Sequence, residues 1–516
     1  MPDDNLHYCD NNCYHKEADV TRQLDLTEVD VLIIGAGISG IGAGCHLRRQ
    51  CPNQSLVIIE ARADLGGTWD LFKYPGIRSD SDLFTFGYDF RPWKEDKAIA
   101  DGASIKRYIE DTAREYALFP HIYFNHRVHD LNWSSSQQRW QVTIRSADGS
   151  ECVVLARWVF NAAGYYRYDQ GHRPDFPGEQ DFNGLIVHPQ QWPDDLNYTD
   201  KKVVVIGSGA TAVTLVPAMA ERAAHVTLLQ RTPSYVLPVP ESSVLSRKLK
   251  PLLGESLTFA LVRRFNIAKQ RWVYQFCQKH PQRARKFIRW LNKKVLPEGY
   301  PVDEHFNPPY NPWEQRLCAV PGGDLFKVIS AQQASMVTDH IEQFTSTGIT
   351  LRSGKQLDAD IIVTATGLNL APLGGLQPRI DGQPVSLSDC LVYKGMLLSG
   401  IPNLTIAVGY TSSSWTLKIG LLCEHFTRLL NYMTEHNYVT CLPQAEDGLT
   451  TEPLLNFGAG YVQRSLDLMP KQAARFPWSM SWNYTDDVKI FRQGKVNDPA
   501  LLFSRRRAPE GAEHAR

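Results

Sequence analysis

Two short glycine runs carry the first recognisable chemistry. Gly35-x-Gly37-x-x-Gly40 follows the apolar run DVLII, and Gly207-x-Gly209-x-x-Ala212 follows VVVI. Glycines at this spacing permit a tight turn after a strand, admit a pyrophosphate close to the backbone and seat a helix against the strand. The helix N-terminus then faces the phosphates. Such a run is weak evidence alone, but each is answered at the end of the next strand-like segment. Glu60 lies 25 residues after Gly35, and Arg231 lies 24 residues after Gly207. A carboxylate there accepts from ribose hydroxyls and repels a 2′-phosphate, whereas a guanidinium grips that phosphate. The first site is therefore expected to hold FAD. The second, with Arg231 and its neighbour Thr232, is expected to take NADPH in preference to NADH. Two such sites in one chain bring a hydride donor to a flavin, which is oxidoreductase chemistry. A disulfide reductase would add a redox cysteine pair; CDNNC at 9–13 precedes the first strand and is set aside.

The elements needed to position these residues can be read from periodicity. DVLII, a glycine turn, a helix to about Gln50 and LVIIE at 56–60 form one βαβ unit. RWQVTIRSADGSECVVLARWVF alternates with period two about an Asp148-Gly149 turn, as a hairpin does. A second βαβ unit begins at Lys201 and reaches HVTLLQ at 225–230. Between 246 and 300 the chain reads as amphipathic helices with fourteen basic residues against Glu255 and Glu298. A solvated face and a surface that touches anionic membrane both remain open for that stretch. The expected fold is α/β, with two Rossmann-like dinucleotide-binding domains (FAD and NADP) and a helical insertion. Its parts are a flexible tail (1–28), an FAD part (29–165), an NADP domain (170–366) carrying the insertion 246–300, and a second FAD part (367–516).

Bulk composition narrows the class. At 516 residues, with 43% hydrophobic and 21% charged residues, the chain is ordinary globular material of several domains. A net charge of zero gives no hint of nucleic acid. Ten cysteines without a CxxC pair argue against a zinc ribbon or dithiol centre and fit reduced thiols in a cytosol. HYCDNNCYH, near the start, is read as part of a disordered extension in preference to a metal site, and no metal is expected. The first residues, MPDDNLHYCDNN, are too acidic and polar for a signal peptide.

Two longer patterns surround the fingerprints. FNGLIVHPQQWP fits FxGxxxHxxxWP in full, through Phe182, Gly184, His188, Trp192 and Pro193. GTWDLFKYPGIRSD fits GxWxxxxYPGxxxD, from Gly67 through Trp69, Tyr74, Pro75 and Gly76 to Asp80. On these residues the chain from about position 28 onward resembles the Baeyer–Villiger monooxygenases, a family of class B flavoprotein monooxygenases. YPGIRSDSD, WPDDLNY, YNPWEQRLC, TATGLNL and YKGMLLSGIPN are most similar to its ethionamide-activating branch.

The resemblance implies an FAD enzyme that uses NADPH and O2 to form a C4a-peroxyflavin, which converts ketones to esters or lactones and oxidises sulfides as a side activity. It points to Arg316, in YNPWEQRLC, as the catalytic cation and to Asp80 as the carboxylate that orients it. It places Gly67, Thr68, Trp69 and Asp70 close to the flavin and makes Thr366-Gly367 the crossing back to the FAD domain. His188 is expected to hydrogen-bond within its loop rather than to act as acid or base, and Trp192 to anchor packing. Trp415 is left between lining a cofactor or substrate pocket and plain burial. Many family members carry Lys before the catalytic Arg; here it is Gln315, so NADPH selection rests more heavily on Arg231. The alternative chemistry is S- or N-oxygenation, but Trp192-Pro193 and the Asp80/Arg316 pair favour ketones. A membrane-surface binding protein with degenerate cofactor sites is opposed by the intact glycines, Glu60 and Arg231. The expected location is cytoplasmic, with membrane association through 246–300 open.

Overall fold

The computed structural model describes residues 23–506 apart from positions 316, 412, 456, 457 and 459. The HYCDNNCYH cluster and Arg316 therefore lie outside the described residues. The end of the expected tail does not behave as an extension. Leu24 is buried in a core cluster, and the Thr27 carbonyl accepts from Leu155 N–H at 2.8 Å. That boundary moves N-terminally because Leu24 and Leu26 are apolar and reach the face of the sheet.

The first unit is built on strand Glu28–Ile34, helix Ile38–Gln50 and strand Leu56–Ile59. The strands pair in parallel, from Val31 opposite Leu56 to Ile34 opposite Ile59, and these residues are buried throughout. A parallel sheet covered on both faces calls for unbroken apolar runs, and VLII and LVII supply them. Strand Glu151–Asn161 pairs in parallel along the other side of the first strand. It also forms an antiparallel hairpin with Arg139–Ser146, closed at Gly149, whose φ of +87° suits glycine. Far along the chain, Leu404–Ile406 returns to pair with Val159–Asn161 in the same sheet. The second unit is a five-stranded parallel sheet in the order Ala334–Thr338, His225–Gln230, Lys202–Ile206, Ile361–Thr364, Leu185–Val187. The fold is thus α/β, with two units of the dinucleotide-binding type.

Helices Val244–Lys279 and Pro281–Val295 leave the second unit between strands Tyr235–Val239 and Leu317–Pro321. The longer one is kinked at Gly254, where φ is 71° and ψ 176°, just after Pro251. Its inner face clamps the first unit. Arg263 donates to the carbonyls of Phe84, Thr85 and Gly87 at 2.8, 3.2 and 2.8 Å. Asn266 and Gln270 donate to the Asp82 carboxylate at 2.9 and 2.8 Å. The spacing of 263, 266 and 270 keeps the three on one helical face. Among the described residues, no helix is long and apolar enough to cross a membrane.

Candidate active site

A cavity of about 1070 Å³ opens at the first glycine turn. The three glycines meet different constraints. Gly35 has φ +97°, and a Cβ there would lie 2.8 Å from the Ala162 carbonyl oxygen. At Gly40 a Cβ would lie 1.9 Å from the Gly35 oxygen, so this residue sets how closely the helix approaches the turn. Gly37 is the N-cap of the helix and offers no side chain to its first N–H groups. Those donors are left for an anion, which is the chemistry of a pyrophosphate site.

Glu60 lines the same cavity and is buried. Its Oε2 accepts from Ala36 N–H at 2.7 Å and its Oε1 from Arg62 N–H at 2.9 Å. Each oxygen keeps a further lone pair for a ribose hydroxyl. Burial pushes the Glu60 carboxyl up, and the two backbone donors oppose the rise. Gly67, Thr68 and Trp69 lie on the cavity wall. Asp70, which follows Trp69, has its carboxylate bound by Arg62 at 2.6 Å and Lys106 at 2.7 Å. Burial would raise that carboxyl, but hydrogen bonds from Lys106 and Arg62 outweigh it and the net shift is downward. Lys106 also holds Asp64 at 2.6 Å, so a four-residue ion network braces the turn from behind. Trp415 lines the cavity, stacks on Tyr165 with centroids 5.2 Å apart and donates to Ser39 Oγ at 2.9 Å. Of its two readings, the structure gives the pocket wall. Tyr165, Tyr166 and Tyr168 also line the cavity and escape the sequence reading. Three tyrosines directly after a buried strand, in NAAGYYRYD, are the signal that could have found them.

The second glycine turn is more open. Gly207, at φ +142°, would place a Cβ 2.3 Å from the Ala365 oxygen, whereas a Cβ on Gly209 would meet nothing within 4 Å. Gly209 is the N-cap of helix Ala210–Ala220 and again provides no side-chain acceptor; Ala212 is buried behind it. Arg231 is exposed just past strand His225–Gln230, and Thr232 beside it is half-buried. Ser234 donates to Ser208 Oγ at 3.0 Å, which brings the loop after Arg231 to the glycine turn. An exposed guanidinium near an uncapped helix N-terminus can take a phosphate.

The two long patterns connect the units. In the GxWxxxxYPGxxxD segment, Gly67 sits against Gly37, where an added Cβ would lie 3.1 Å from the Gly37 Cα. At its other end Gly76, with φ +77°, packs on the second glycine helix. A Cβ there would lie 2.7 Å from Ala218 Cβ and 2.9 Å from the Thr214 oxygen. One segment thus touches the first glycine turn and the helix that follows the second. Asp80 is exposed at its end, two residues from Arg78, which is paired with Asp324. The neighbours of Arg316 are placed: Leu317 begins strand Leu317–Pro321, and Gln315 lies 3.4 Å from where a Gly458 Cβ would be.

In the FxGxxxHxxxWP segment, Phe182 is buried edge-on to Phe344, and Gly184 leaves room for the Asp360 carbonyl. Trp192 is half-buried against the second unit's core, with Pro193 following. His188 caps the turn Pro189–Gln191, its Nδ1 accepting from Gln190 N–H at 3.1 Å. The proton then belongs on Nε2, which lies 3.2 Å from the Gly367 carbonyl. Burial lowers the imidazole's pKa, more than the Gly367 contact raises it, so the ring is neutral. His188 therefore bonds outside its loop as well as within it. Its outside partner lies where two crossing strands of chain run side by side. Arg167 N–H donates to the Asn369 carbonyl at 2.9 Å, His172 N–H to the Gly367 carbonyl at 3.0 Å, and Thr366 Oγ1 to the His172 carbonyl at 2.6 Å. Among the described residues no three His, Cys, Asp or Glu side chains converge as a metal site.

Comparison with known proteins gives the site its context. The family model described as flavin-binding monooxygenase-like matches residues 28–408. The FAD-containing monooxygenase EthA of Mycobacterium tuberculosis is 50% identical over 485 residues, covering 94% of this chain and 99% of that protein. A steroid monooxygenase solved with NADP aligns with a TM-score of 0.74 at 22% identity, over 93% of this chain and 100% of that one. OTEMO in complex with FAD and NADP aligns at a TM-score of 0.73 and 21% identity, over 92% and 99%. At these identities the two structures show a shared fold.

Proposed function

The chain belongs to the flavin-binding monooxygenase-like family, and from that premise we propose that it is an NADPH- and O2-dependent Baeyer–Villiger monooxygenase containing FAD. The net reaction is ketone, O2, NADPH and a proton to ester or lactone, NADP+ and water. The observation that carries this reading is the opposition of Glu60 and Arg231 at equivalent ends of two glycine-turn units. These units are joined by a segment that packs on the first turn through Gly67 and on the helix behind the second turn through Gly76. The FAD unit is assigned to about 24–165 and 367–516, with the NADP unit, 170–366, between them.

When bound, the flavin accepts a hydride and activates oxygen for insertion beside a carbonyl. The protein's own residues bind, orient and exclude water. The uncapped helix behind Gly37 faces the flavin pyrophosphate, and Glu60 accepts from its ribose. Gly207, Gly209 and Ala212 seat the second pyrophosphate, and Arg231 with Thr232 takes the 2′-phosphate. Trp69, Tyr165 and Trp415 supply the aromatic wall that keeps water from the reacting end. Arg316 is assigned the fixed positive charge that stabilises negative charge developing on the substrate carbonyl oxygen, with Asp80 orienting it. His188 stays neutral and positions the chain crossing at Gly367.

Purified holoprotein supplied with NADPH, air and an aryl ketone is expected to yield the ester. The substitution Arg316→Ala is expected to leave flavin content unchanged and to lower ester formation by 100-fold or more, on the order of one lost electrostatic stabiliser. Ester at wild-type rate from that variant would remove Arg316 from the reaction. NADPH oxidation that responds to thioethers or amines but not to ketones would make S- or N-oxygenation the main activity.

A further inference from the structure

The outer faces of helices Val244–Lys279 and Pro281–Val295 are the largest unexplained feature of the surface. On the longer helix, Leu257, Phe265 and Trp272 are each more than half exposed. After the Gly254 kink these positions, with Leu261, fall within about 80° of one another at 100° per residue, a single stripe. Phe287 and Trp290 on the second helix are likewise more than half exposed and stack on each other with centroids 5.8 Å apart. Inward packing does not use these side chains. The longer helix is held to the molecule by its opposite face, through Arg263, Asn266 and Gln270.

Charge follows the stripes. The chain as a whole balances 55 basic against 55 acidic residues, yet 246–300 holds fourteen basic residues and two acidic ones. Arg264, Lys269 and Lys279 are exposed on the longer helix, and Arg283, Lys286 and Lys294 on the second. Lys294 Nζ lies over the Trp290 ring, 5.3 Å from its centroid. Tryptophan beside lysine, with leucine and phenylalanine in the same row, suits the boundary of a bilayer. There apolar side chains enter the acyl region while cations meet headgroup phosphates. A soluble protein rarely leaves such a surface bare.

We infer that these two helix faces dock the protein peripherally on an anionic phospholipid bilayer. Apolar burial and charge attraction contribute together, so binding requires acidic lipid and weakens with salt. The test uses the holoprotein and two sets of vesicles: phosphatidylcholine alone, and phosphatidylcholine with about one third phosphatidylglycerol. The expected result is co-sedimentation with the acidic vesicles alone, with a blue shift of tryptophan emission, reduced at high salt. A Trp272→Ser, Trp290→Ser double variant is expected to lose roughly ten-fold or more in partitioning. A Lys286→Glu, Lys294→Glu variant is expected to lose the preference for acidic lipid. NADPH oxidation in vesicle-free buffer is expected to match the wild type for both, which separates a binding defect from misfolding. Equal binding to both vesicle sets, or binding to neither, overturns the inference. Concentration-dependent dimerisation that the tryptophan double variant abolishes also overturns it, because a second copy of the chain would then cover the face.

Discussion

At the scale of single residues, the proposed function assigns selectivity between the nicotinamide cofactors to Arg231. Gln315 carries no charge, so it gives a 2′-phosphate no ion-pair partner beside Arg316. The turn at Gly207–Gly209 leaves backbone donors uncapped, and on that assignment NADH and NADPH would share them. Arg231→Ala is therefore expected to raise KM for NADPH by about 10- to 100-fold, the worth of one charge-assisted phosphate contact, while KM for NADH stays within about two-fold. Steady-state oxidation of both cofactors by the same preparation checks this; equal losses for the two would move the 2′-phosphate contact elsewhere. Glu60 poses the reverse case. Its carboxylate is already held by two backbone N–H groups, so it is a fixed acceptor, suited to a hydroxyl and repelling any phosphate brought to that place.

At the scale of elements, Arg263, Asn266 and Gln270 tie the insertion helix to helix Leu83–Phe86, whose Phe86 lines the cavity. Arg263 is buried and spans three carbonyls at the end of helix Leu83–Phe86, a C-terminus that favours a cation. The next helix to be touched is Trp415–Glu435, because Thr416 Oγ1 donates to the Thr85 carbonyl that Arg263 shares, at 3.2 Å, and to the Phe86 carbonyl at 2.6 Å. Arg263→Met keeps much of the volume but takes the guanidinium from the three carbonyls, of which only that of Thr85 keeps a second side-chain donor, Thr416. It is expected to cost about 3 kcal/mol, read as a lowered urea midpoint with unchanged slope. A midpoint equal to wild type would mean that water replaces the guanidinium at no cost. The two glycine-turn units are legible in sequence because buried parallel strands need the unbroken runs VLII, LVII and VVVI, with glycines and an answering charge at fixed distances. Other elements are not legible for equally physical reasons. Leu404–Ile406 is three residues long and shows no periodicity, yet it returns the chain to the first sheet. The network of Arg62, Asp64, Asp70 and Lys106 joins residues up to 44 apart (Lys106 to Arg62), so no local spacing announces it. The His188 contact with Gly367 spans 179 residues, so the sequence reading could supply only its partner inside the loop.

For the molecule as a whole, buried histidines contribute to the response to acid. His46 and His425 are almost fully buried, and burial lowers their pKa values to about 4 and about 3. His188 is lowered in the same direction. In the unfolded chain a histidine takes up its proton near pH 6.5. Folded and unfolded states bind the same number of protons above that pH. As pH falls below it the unfolded state binds more, so stability is present above about 6.5 and is lost as pH falls toward the folded values. Glu60 and Asp487, raised by burial, act with the opposite sign. The histidine effect is therefore best isolated by difference. His46 is the cleanest case: its ring lies edge-on to Phe90 with centroids 5.2 Å apart, and neither nitrogen has a hydrogen-bond partner. Leucine would fill the space without an unsatisfied polar atom, so His46→Leu is expected to be at least as stable as wild type at pH 7. Between pH 7 and pH 4 the wild type is expected to lose about 3 kcal/mol relative to the variant, because burial holds the folded imidazole down to about 4. Urea unfolding of both proteins across that range measures the difference directly. Parallel curves would show that His46 finds a protonated conformation that the fold accommodates, and the acid sensitivity would then pass to His425 and His188.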